Sequence, residues 1–197
     1  MPTEGADAPL TDSELLRRIG QALDTNGALV RGVSAEQWPQ ATPCREWNVG
    51  QLVDHMIEGV GSCARIMDTE PSSAHAAPSD PVVAAAMFEA SARATMRSLS
   101  RAGALERTYH PPWGDAQGRT MAEFLLIESV VHGWDLARAT SQPPAFADET
   151  VALAHRLSRA SLATSPREPA FFDPEIVLDG DRSELDSLVA LLGRDPR

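Results

Sequence analysis

The hydrophobic positions between residues 120 and 140 recur every three or four residues, a spacing typical of a helix that buries one face. Thr120 precedes Glu123 by three residues, so the sequence predicts a helix over 120–140 that begins with a capping box. The apolar positions of the predicted buried face are Met121, Phe124, Leu125, Val131, Leu136 and Ala139.

Three ionisable residues, Glu128, His132 and Asp135, fall on or beside this apolar face. Glu128 and His132 are four residues apart, so both side chains point to the same side of the helix, one turn apart. A buried carboxylate or imidazole costs free energy unless it has a hydrogen bond, an opposite charge or a metal ion as partner. The sequence therefore predicts that other parts of the chain complete this site.

The same periodicity predicts five more helices, over residues 11–31, 48–68, 80–102, 148–163 and 183–193. Good capping residues precede four of them, namely Thr11, Asn48, Asp80 and Ser183. The predicted core positions of the helix over 80–102 are Val83, Met87, Ala90, Ala94, Met96 and Leu99. Residues 32–47 and 103–119 are predicted to be connections, and residues 176–178 a short strand or extended segment. The pattern predicts an all-α fold, a bundle of four long helices with a short C-terminal extension. We expect residues 1–10 to be a disordered lead-in and residues 11–197 to form a single helical domain.

His55 lies among apolar neighbours on the inner face of the helix over 48–68, and Gly59 follows one turn later. Gly59 is expected to leave room beside His55 or to allow close helix packing. Facing helices of a bundle can bring His55, Glu128 and His132 to one point. Two imidazoles and one carboxylate bind Zn²⁺ or Fe²⁺ with a coordination position left open for chemistry. The pattern also fits a histidine bonded to a backbone carbonyl and a structural Glu128–His132 pair.

Asp135 is assigned to the catalytic set because it can hydrogen-bond an imidazole and orient a ligand, although it could equally pair with Arg138. Arg138 is the candidate for cofactor binding. Cys44 precedes a predicted helix N-terminus, which lowers a thiol pKa, but a structural role is the simpler interpretation. The loop over residues 109–113 is expected to shape the pocket.

Composition narrows the classes of function. The formal net charge is −11 and all 17 basic residues are arginine, which argues against nucleic acid or a membrane surface as partner. The absence of lysine excludes Schiff-base chemistry on lysine and a Walker-type phosphate loop. No signal peptide or long apolar run is visible, and the two cysteines form no CxxC pair. We therefore expect a cytoplasmic protein with free thiols, either a monomer or a homodimer, that acts on a small molecule.

Residues 131–140, VHGWDLARAT, resemble the signature of the DinB-like metal-binding family related to mycothiol-dependent maleylpyruvate isomerase. Residues 42–56, TPCREWNVGQLVDHM, are similar to the first metal-ligand helix of that family, and residues 191–196 to its usual C-terminus. The resemblance implies a DinB-like four-helix bundle that holds a divalent metal through His55, Glu128 and His132. It also implies a thiol cofactor, mycothiol or a relative. The resemblance covers the metal-binding domain of the isomerase and not its additional C-terminal domain, so maleylpyruvate isomerisation itself is not expected.

Three functions follow as expectations. The first is a metal-dependent transferase or isomerase that uses a low-molecular-weight thiol on an electrophilic substrate, with Zn²⁺ as the expected metal and Ni²⁺, Fe²⁺ or Mn²⁺ as alternatives. The second is a thiol-independent metal hydrolase or lyase, for example in secondary metabolism. The third is a metal-binding module without catalysis. Fold and ligand set together do not determine the substrate.

Overall fold

A computed structural model describes residues 10–45, 47–69, 76–164 and 173–197. Within these ranges the chain forms six α helices and one antiparallel pair of short strands. The helices are α1 (Asp12–Arg31), α2 (Val49–Met67), α3 (Pro81–Leu99), α4 (Gly118–Thr140), α5 (Asp148–Thr164) and α6 (Glu184–Leu191), and the strands are β1 (Thr108–Tyr109) and β2 (Ala116–Gln117). Residues 1–9 of the predicted lead-in lie outside the described residues.

The first four helices form the bundle. Helix α1 packs on α3 and α4, and α2 packs on the same two helices, so the four surround one apolar core. Helix α5 packs on α4 and on α6 and adds a further layer to the outer side of α4. This arrangement confirms the all-α, DinB-like bundle with a C-terminal extension. None of the described helices has the length and apolar character needed to cross a membrane.

Local capping signals predict most helix starts correctly. The Thr11 hydroxyl accepts the Glu14 amide at 3.2 Å. Asn48 and Gln51 form a reciprocal capping box, with bonds of 2.9 and 3.0 Å between each side chain and the other residue's amide. The Asp80 side chain accepts the Val82 and Val83 amides at the start of α3, and the Ser183 hydroxyl accepts the Asp186 amide at the start of α6, in both cases without a reciprocal bond.

The predicted capping box at Thr120 is wrong, because α4 begins two residues earlier, at Gly118. Backbone carbonyls from the preceding loop accept the first amides of the helix. The Gly118 amide donates to Arg107 at 2.9 Å and the Arg119 amide to Leu105 at 2.8 Å. The loop therefore satisfies the helix terminus without a side-chain cap.

Helix α4 is buried on most of its circumference, not on one face. Leu126, Val130 and Ala137 are fully buried, whereas Phe124, predicted to face the core, is 48% exposed. Tertiary packing explains this extensive burial, because α5 and α6 cover the side of α4 that faces away from the bundle. Helix α4 is thus a central element of the fold.

The predicted inner face of α3 is also wrong in part. The buried positions are Ala84, Phe88, Thr95, Ser98 and Leu99, whereas Val83 and Ala90 are exposed. Small residues dominate α3, so the large ring of Phe88, 1% exposed, determines which face packs inward. Residues 176–178 form no strand, because the Ile176 amide donates to the end of α6, at the Ala190 carbonyl.

Two helical glycines near the site have opposite surroundings. A Cβ atom at Gly133 would lie 2.1 Å from Asn26 Oδ1 and 2.5 Å from the Phe146 ring, so Gly133 permits the close approach of α1 to α4. The Asn26 amide donates to the Ser129 carbonyl at 2.8 Å across the same contact. A Cβ atom at Gly59 would meet nothing within 4 Å, so Gly59 leaves open space and does not serve close packing.

We expect Gly133→Ala to lower the free energy of unfolding by about 1–3 kcal/mol, because the added methyl overlaps the Asn26 amide. Gly59→Ala is the matched control and should raise stability by about 0.5–1 kcal/mol through higher helix propensity. Urea unfolding monitored by circular dichroism measures both. Changes of the same sign in the two variants would contradict the packing assignment.

Candidate metal centre

The structure brings His55, Glu128 and His132 together at the contact between α2 and α4. His132 Nε2 lies 3.1 Å from Glu128 Oε2, and His55 Nε2 lies 3.8 Å from the same oxygen. One ligand atom from each of the three residues lies within 4.8 Å of the others. The i,i+4 spacing on α4 and the neighbouring position of α2 therefore produce the convergence that the sequence predicts.

The donor set fits a divalent cation. Zn²⁺ binds nitrogen and oxygen ligands at about 2.0–2.1 Å in tetrahedral geometry, which separates neighbouring ligand atoms by about 3.3 Å. The two measured separations, 3.1 and 3.8 Å, lie on either side of that value. Two imidazoles and one carboxylate also leave at least one coordination position for an exogenous ligand.

One side of the cluster is accessible. The side chains of His55 and Glu128 are 38% and 25% exposed, whereas His132 is 9% exposed. His132 therefore lies at the back of the site, and the opening lies on the side of His55. Solvent therefore reaches the cluster from the side of His55.

Trp47 forms a wall beside the two imidazoles. Its ring centroid lies 4.3 Å from that of His55 and 5.9 Å from that of His132. The Thr42 hydroxyl accepts the Cys44 amide at 3.1 Å and donates to the Trp47 carbonyl at 2.8 Å, which closes the turn before α2. This turn places Trp47 and Cys44 against the site.

Asp135 lies behind His132 and is completely buried. Its Oδ2 atom lies 3.1 Å from His132 Nδ1 and accepts the Cys44 thiol at 3.0 Å. A carboxylate at Nδ1 holds the imidazole with Nδ1 protonated and leaves Nε2 free to bind an ion. Of the two partners that the sequence leaves open for Asp135, the structure shows the imidazole of His132 and not Arg138. The assignment of Asp135 to the catalytic set stays a prediction.

The cationic partner of Asp135 is Arg194, a residue that the sequence analysis does not assign to the site. Its Nη2 atom donates to Asp135 Oδ2 at 3.2 Å and lies 3.6 Å from Cys44 Sγ. Cys44, His132 and Asp135 also have ligand atoms within 4.8 Å of one another. A guanidinium already supplies the positive charge there, and a metal ion beside it would be repelled. The group formed by His55, Glu128 and His132 is thus the better metal site.

The charges of the cluster are coupled. Burial disfavours the ionised form of Glu128, but the positive charge of His132 and hydrogen bonds from both histidines hold the pKa of Glu128 well below its usual value. Burial opposes protonation of His132, but the Glu128 charge and the hydrogen bond to Asp135 hold the pKa of His132 well above its usual value. Burial would raise the pKa of Asp135, but the hydrogen bond to His132 and the charge of Arg194 lower it below its usual value.

The helix N-terminus that follows Cys44 does not lower the pKa of its thiol. Burial and the neighbouring Asp135 carboxylate raise the pKa of Cys44, and they outweigh the opposing effect of His132. Burial raises the pKa of Cys63 to about 12. Both thiols are free, and neither is activated as a nucleophile in this structure.

The remaining predicted residues lie away from the cluster. The exposed guanidinium of Arg138 lies 5.7 Å from the Trp134 ring centroid and donates to the Arg197 carbonyl at 3.1 Å. Its role in cofactor binding stays a prediction. Residues 109–113 adjoin the start of α4, about 15 Å along the helix axis from Glu128. Tyr109 is buried and bonds to the Ala104 carbonyl there, whereas Trp113 is 70% exposed. The turn that contains Trp47 borders the site instead.

The raised pKa of His132 makes the stability of the metal-free protein depend on pH. The charged imidazole contributes stability that is fully present below its unfolded pKa of about 6.5 and is lost as pH rises through the raised folded pKa. We expect the free energy of unfolding in a chelating buffer to fall over that interval. His132→Asn should flatten the fall, whereas His110→Asn, at an exposed histidine paired with Asp115, should retain it. An equal slope in the parent and His132→Asn would contradict this assignment.

Comparisons with known proteins identify the family of the chain. Residues 19–137 match the family described as the mycothiol maleylpyruvate isomerase N-terminal domain. The chain is 31% identical over 181 residues to "Uncharacterized protein MT0763" of Mycobacterium tuberculosis (strain CDC 1551 / Oshkosh), an alignment that covers 90% of this chain and 96% of the relative. The same values apply to "Uncharacterized protein Rv0738" of Mycobacterium tuberculosis (strain ATCC 25618 / H37Rv). No solved structure shows a significant match. The family match covers more than half of the chain and includes both helices that form the cluster, and the chain therefore belongs to the mycothiol maleylpyruvate isomerase N-terminal domain family.

Proposed function

We propose that this protein is a divalent-metal-dependent enzyme that uses mycothiol or a similar low-molecular-weight thiol to transfer or isomerise a small electrophilic substrate. The observation that carries the proposal is the convergence of His55, Glu128 and His132 from two helices, with one side of the cluster open. The thiol is suggested by the family, whose description names mycothiol.

The ligand set supports a catalytic rather than a closed structural site. Structural zinc sites surround the ion with four protein ligands, whereas three protein ligands leave a position for a reacting molecule. A divalent cation held here would supply a positive charge that lowers the pKa of an incoming thiol and makes it nucleophilic near neutral pH. The protein's own thiols have raised pKa values, so an exogenous thiol is the better nucleophile.

The side chains around the cluster have distinct roles in this proposal. His55, Glu128 and His132 hold the cation, and the Glu128 carboxylate balances part of its charge. Asp135 is a positioning residue, because it binds the far nitrogen of His132 and not the reacting molecule. The Trp47 ring shields one side of the imidazoles from water and leaves the entrance beside His55 open.

Metal content tests the site directly. We expect nearly one equivalent of a divalent metal in the purified protein and almost none in the His55→Ala, His132→Ala double variant. The matched control is His110→Ala, His155→Ala, which removes two histidines that pair with Asp115 and Glu184 away from the cluster. Elemental analysis after gel filtration measures the metal, and circular dichroism checks the fold.

Equal metal content in the two double variants, or none in the parent even after incubation with Zn²⁺, would overturn the proposal. Glu128 and His132 would then form a structural pair.

The thiol is tested with cobalt-substituted protein. Mycothiol added to the Co²⁺ form should produce a thiolate-to-cobalt charge-transfer absorption band, since the open position admits the sulfur. The band should be absent from the His55→Ala, His132→Ala variant. Cobalt binding without any spectral change on addition of thiol would favour the thiol-independent hydrolase or lyase instead.

A further inference from the structure

Arg194 reaches the candidate metal centre from the C-terminal tail. Helix α6 ends in a Schellman motif, in which the Gly193 amide donates to the Ala190 carbonyl at 3.0 Å and the Arg194 amide to the Val189 carbonyl at 2.9 Å. Gly193 has a φ of +85°, a conformation that favours glycine. The motif reverses the chain direction, so the Arg194 side chain enters the bundle and is only 12% exposed.

Among the described residues, Arg194 is the only arginine that contacts Asp135. Oδ2 of this carboxylate faces three groups at similar distances, Cys44 Sγ at 3.0 Å, His132 Nδ1 at 3.1 Å and Arg194 Nη2 at 3.2 Å. Arg194 Nε adds a longer contact of 3.5 Å to Oδ1. Two parallel contacts from one guanidinium fix the plane of a carboxylate as well as its position.

Arg194 contacts both oxygens of the Asp135 carboxylate, Oδ1 through Nε and Oδ2 through Nη2. Without these contacts nothing from the tail would fix the plane of the carboxylate, so it could rotate within its buried position. Such a rotation alters the hydrogen bond to His132 Nδ1. The imidazole could then rotate or exchange its protonated nitrogen, and its Nε2 lone pair would no longer be held toward Glu128.

We propose that Arg194 is a positioning residue of the metal centre, which fixes Asp135 and thereby holds His132 ready to bind a cation through Nε2. This inference rests on the proposed function, because it assigns the tail a task in metal binding. Partners behind a metal-bound histidine contribute about 10- to 100-fold to metal affinity. The tail therefore contributes to the metal site without contacting the metal.

The test compares three arginine variants. Arg194→Met keeps much of the side-chain volume but removes the charge, and Arg194→Lys keeps the charge without the planar pair of donors. Arg197→Ala removes a tail arginine whose guanidinium binds Asp195 and not Asp135. Zn²⁺ affinity is measured by competition with a chromophoric chelator. We expect Arg194→Met to weaken binding about 10- to 100-fold, Arg194→Lys to recover part of the loss, and Arg197→Ala to match the parent.

A second readout needs no metal. In the metal-free parent, the His132 Nδ1 proton bonded to Asp135 should give a slowly exchanging, downfield proton resonance. Arg194→Met should lose or shift this resonance, while Arg197→Ala should keep it. A merely structural anchor for the tail would change the melting temperature and leave the resonance and the Zn²⁺ affinity as they are in the parent.

The two readouts separate the two proposals. Parent-like affinity and resonance in folded Arg194→Met would overturn the positioning role and leave the proposed function standing. If the parent itself binds no Zn²⁺, the proposed function fails, and loss of the resonance in Arg194→Met then retains Arg194 as the residue that orients His132. If Arg194→Met does not fold, Arg194→Lys decides: weaker Zn²⁺ binding together with a shifted resonance in that variant supports the positioning role, and parent-like values of both overturn it.

Discussion

The buried Asp135 carboxylate is the constraint on which the candidate site depends. It is fully enclosed, so its charge must be balanced by groups that the fold brings from different parts of the chain. The imidazole of His132 comes from its own helix, the thiol of Cys44 from the turn before α2, and the guanidinium of Arg194 from the tail. Satisfying one buried charge thus fixes the positions of three separate segments. The orientation of the His132 ring toward Glu128 and His55 follows from this charge balance.

Alternating charges continue across the cluster. Arg194, Asp135, His132 and Glu128 are ordered as positive, negative, positive and negative when His132 is protonated, and the pKa directions of the two carboxylates and the imidazole follow from this order. A divalent cation must replace the proton on His132 Nε2, so cation and proton compete for the same atom. Glu128 and His55 lie at the more exposed end of this row of charges. A cation or a proton therefore exchanges with solvent more easily at that end than at Asp135, which remains buried.

Much of the fold could be predicted because its signals are local. Capping residues at Thr11, Asn48, Asp80 and Ser183 mark helix starts within a few residues of sequence, and the structure confirms them. The start of α4 could not be predicted in this way, because loop carbonyls satisfy its first amides. The inner face of α3 was ambiguous because alanine provides little contrast between faces. Phe124 does not face the core because it lies half-exposed on the side of α4 beside α5, a position that no local pattern reveals.

The candidate site likewise combines features that local sequence predicts with features that only tertiary contacts determine. The i,i+4 pair of Glu128 and His132 follows from helix geometry, and His55 follows from its place on the apolar face of a second predicted helix, in agreement with the resemblance to a known family. Arg194 could not be found by spacing, since it lies 59 residues from Asp135 and its direction depends on the turn at Gly193. A glycine directly after a predicted helix, followed by arginine, was the available signal. For Cys44, the local argument from the helix terminus failed because burial beside Asp135 has the larger effect on its pKa.

The position of Arg194 in the chain has a consequence for the order of events during synthesis. Cys44, His132 and Asp135 emerge from the ribosome before their cationic partner does. At about 5–20 residues per second, the 59 residues from Asp135 to Arg194 take several seconds to translate. During that interval all residues of the four bundle helices have been synthesised, but the arginine that pairs with Asp135 has not. The charge balance of Asp135 is therefore completed only after the tail is made, although every helix of the bundle belongs to the first 140 residues.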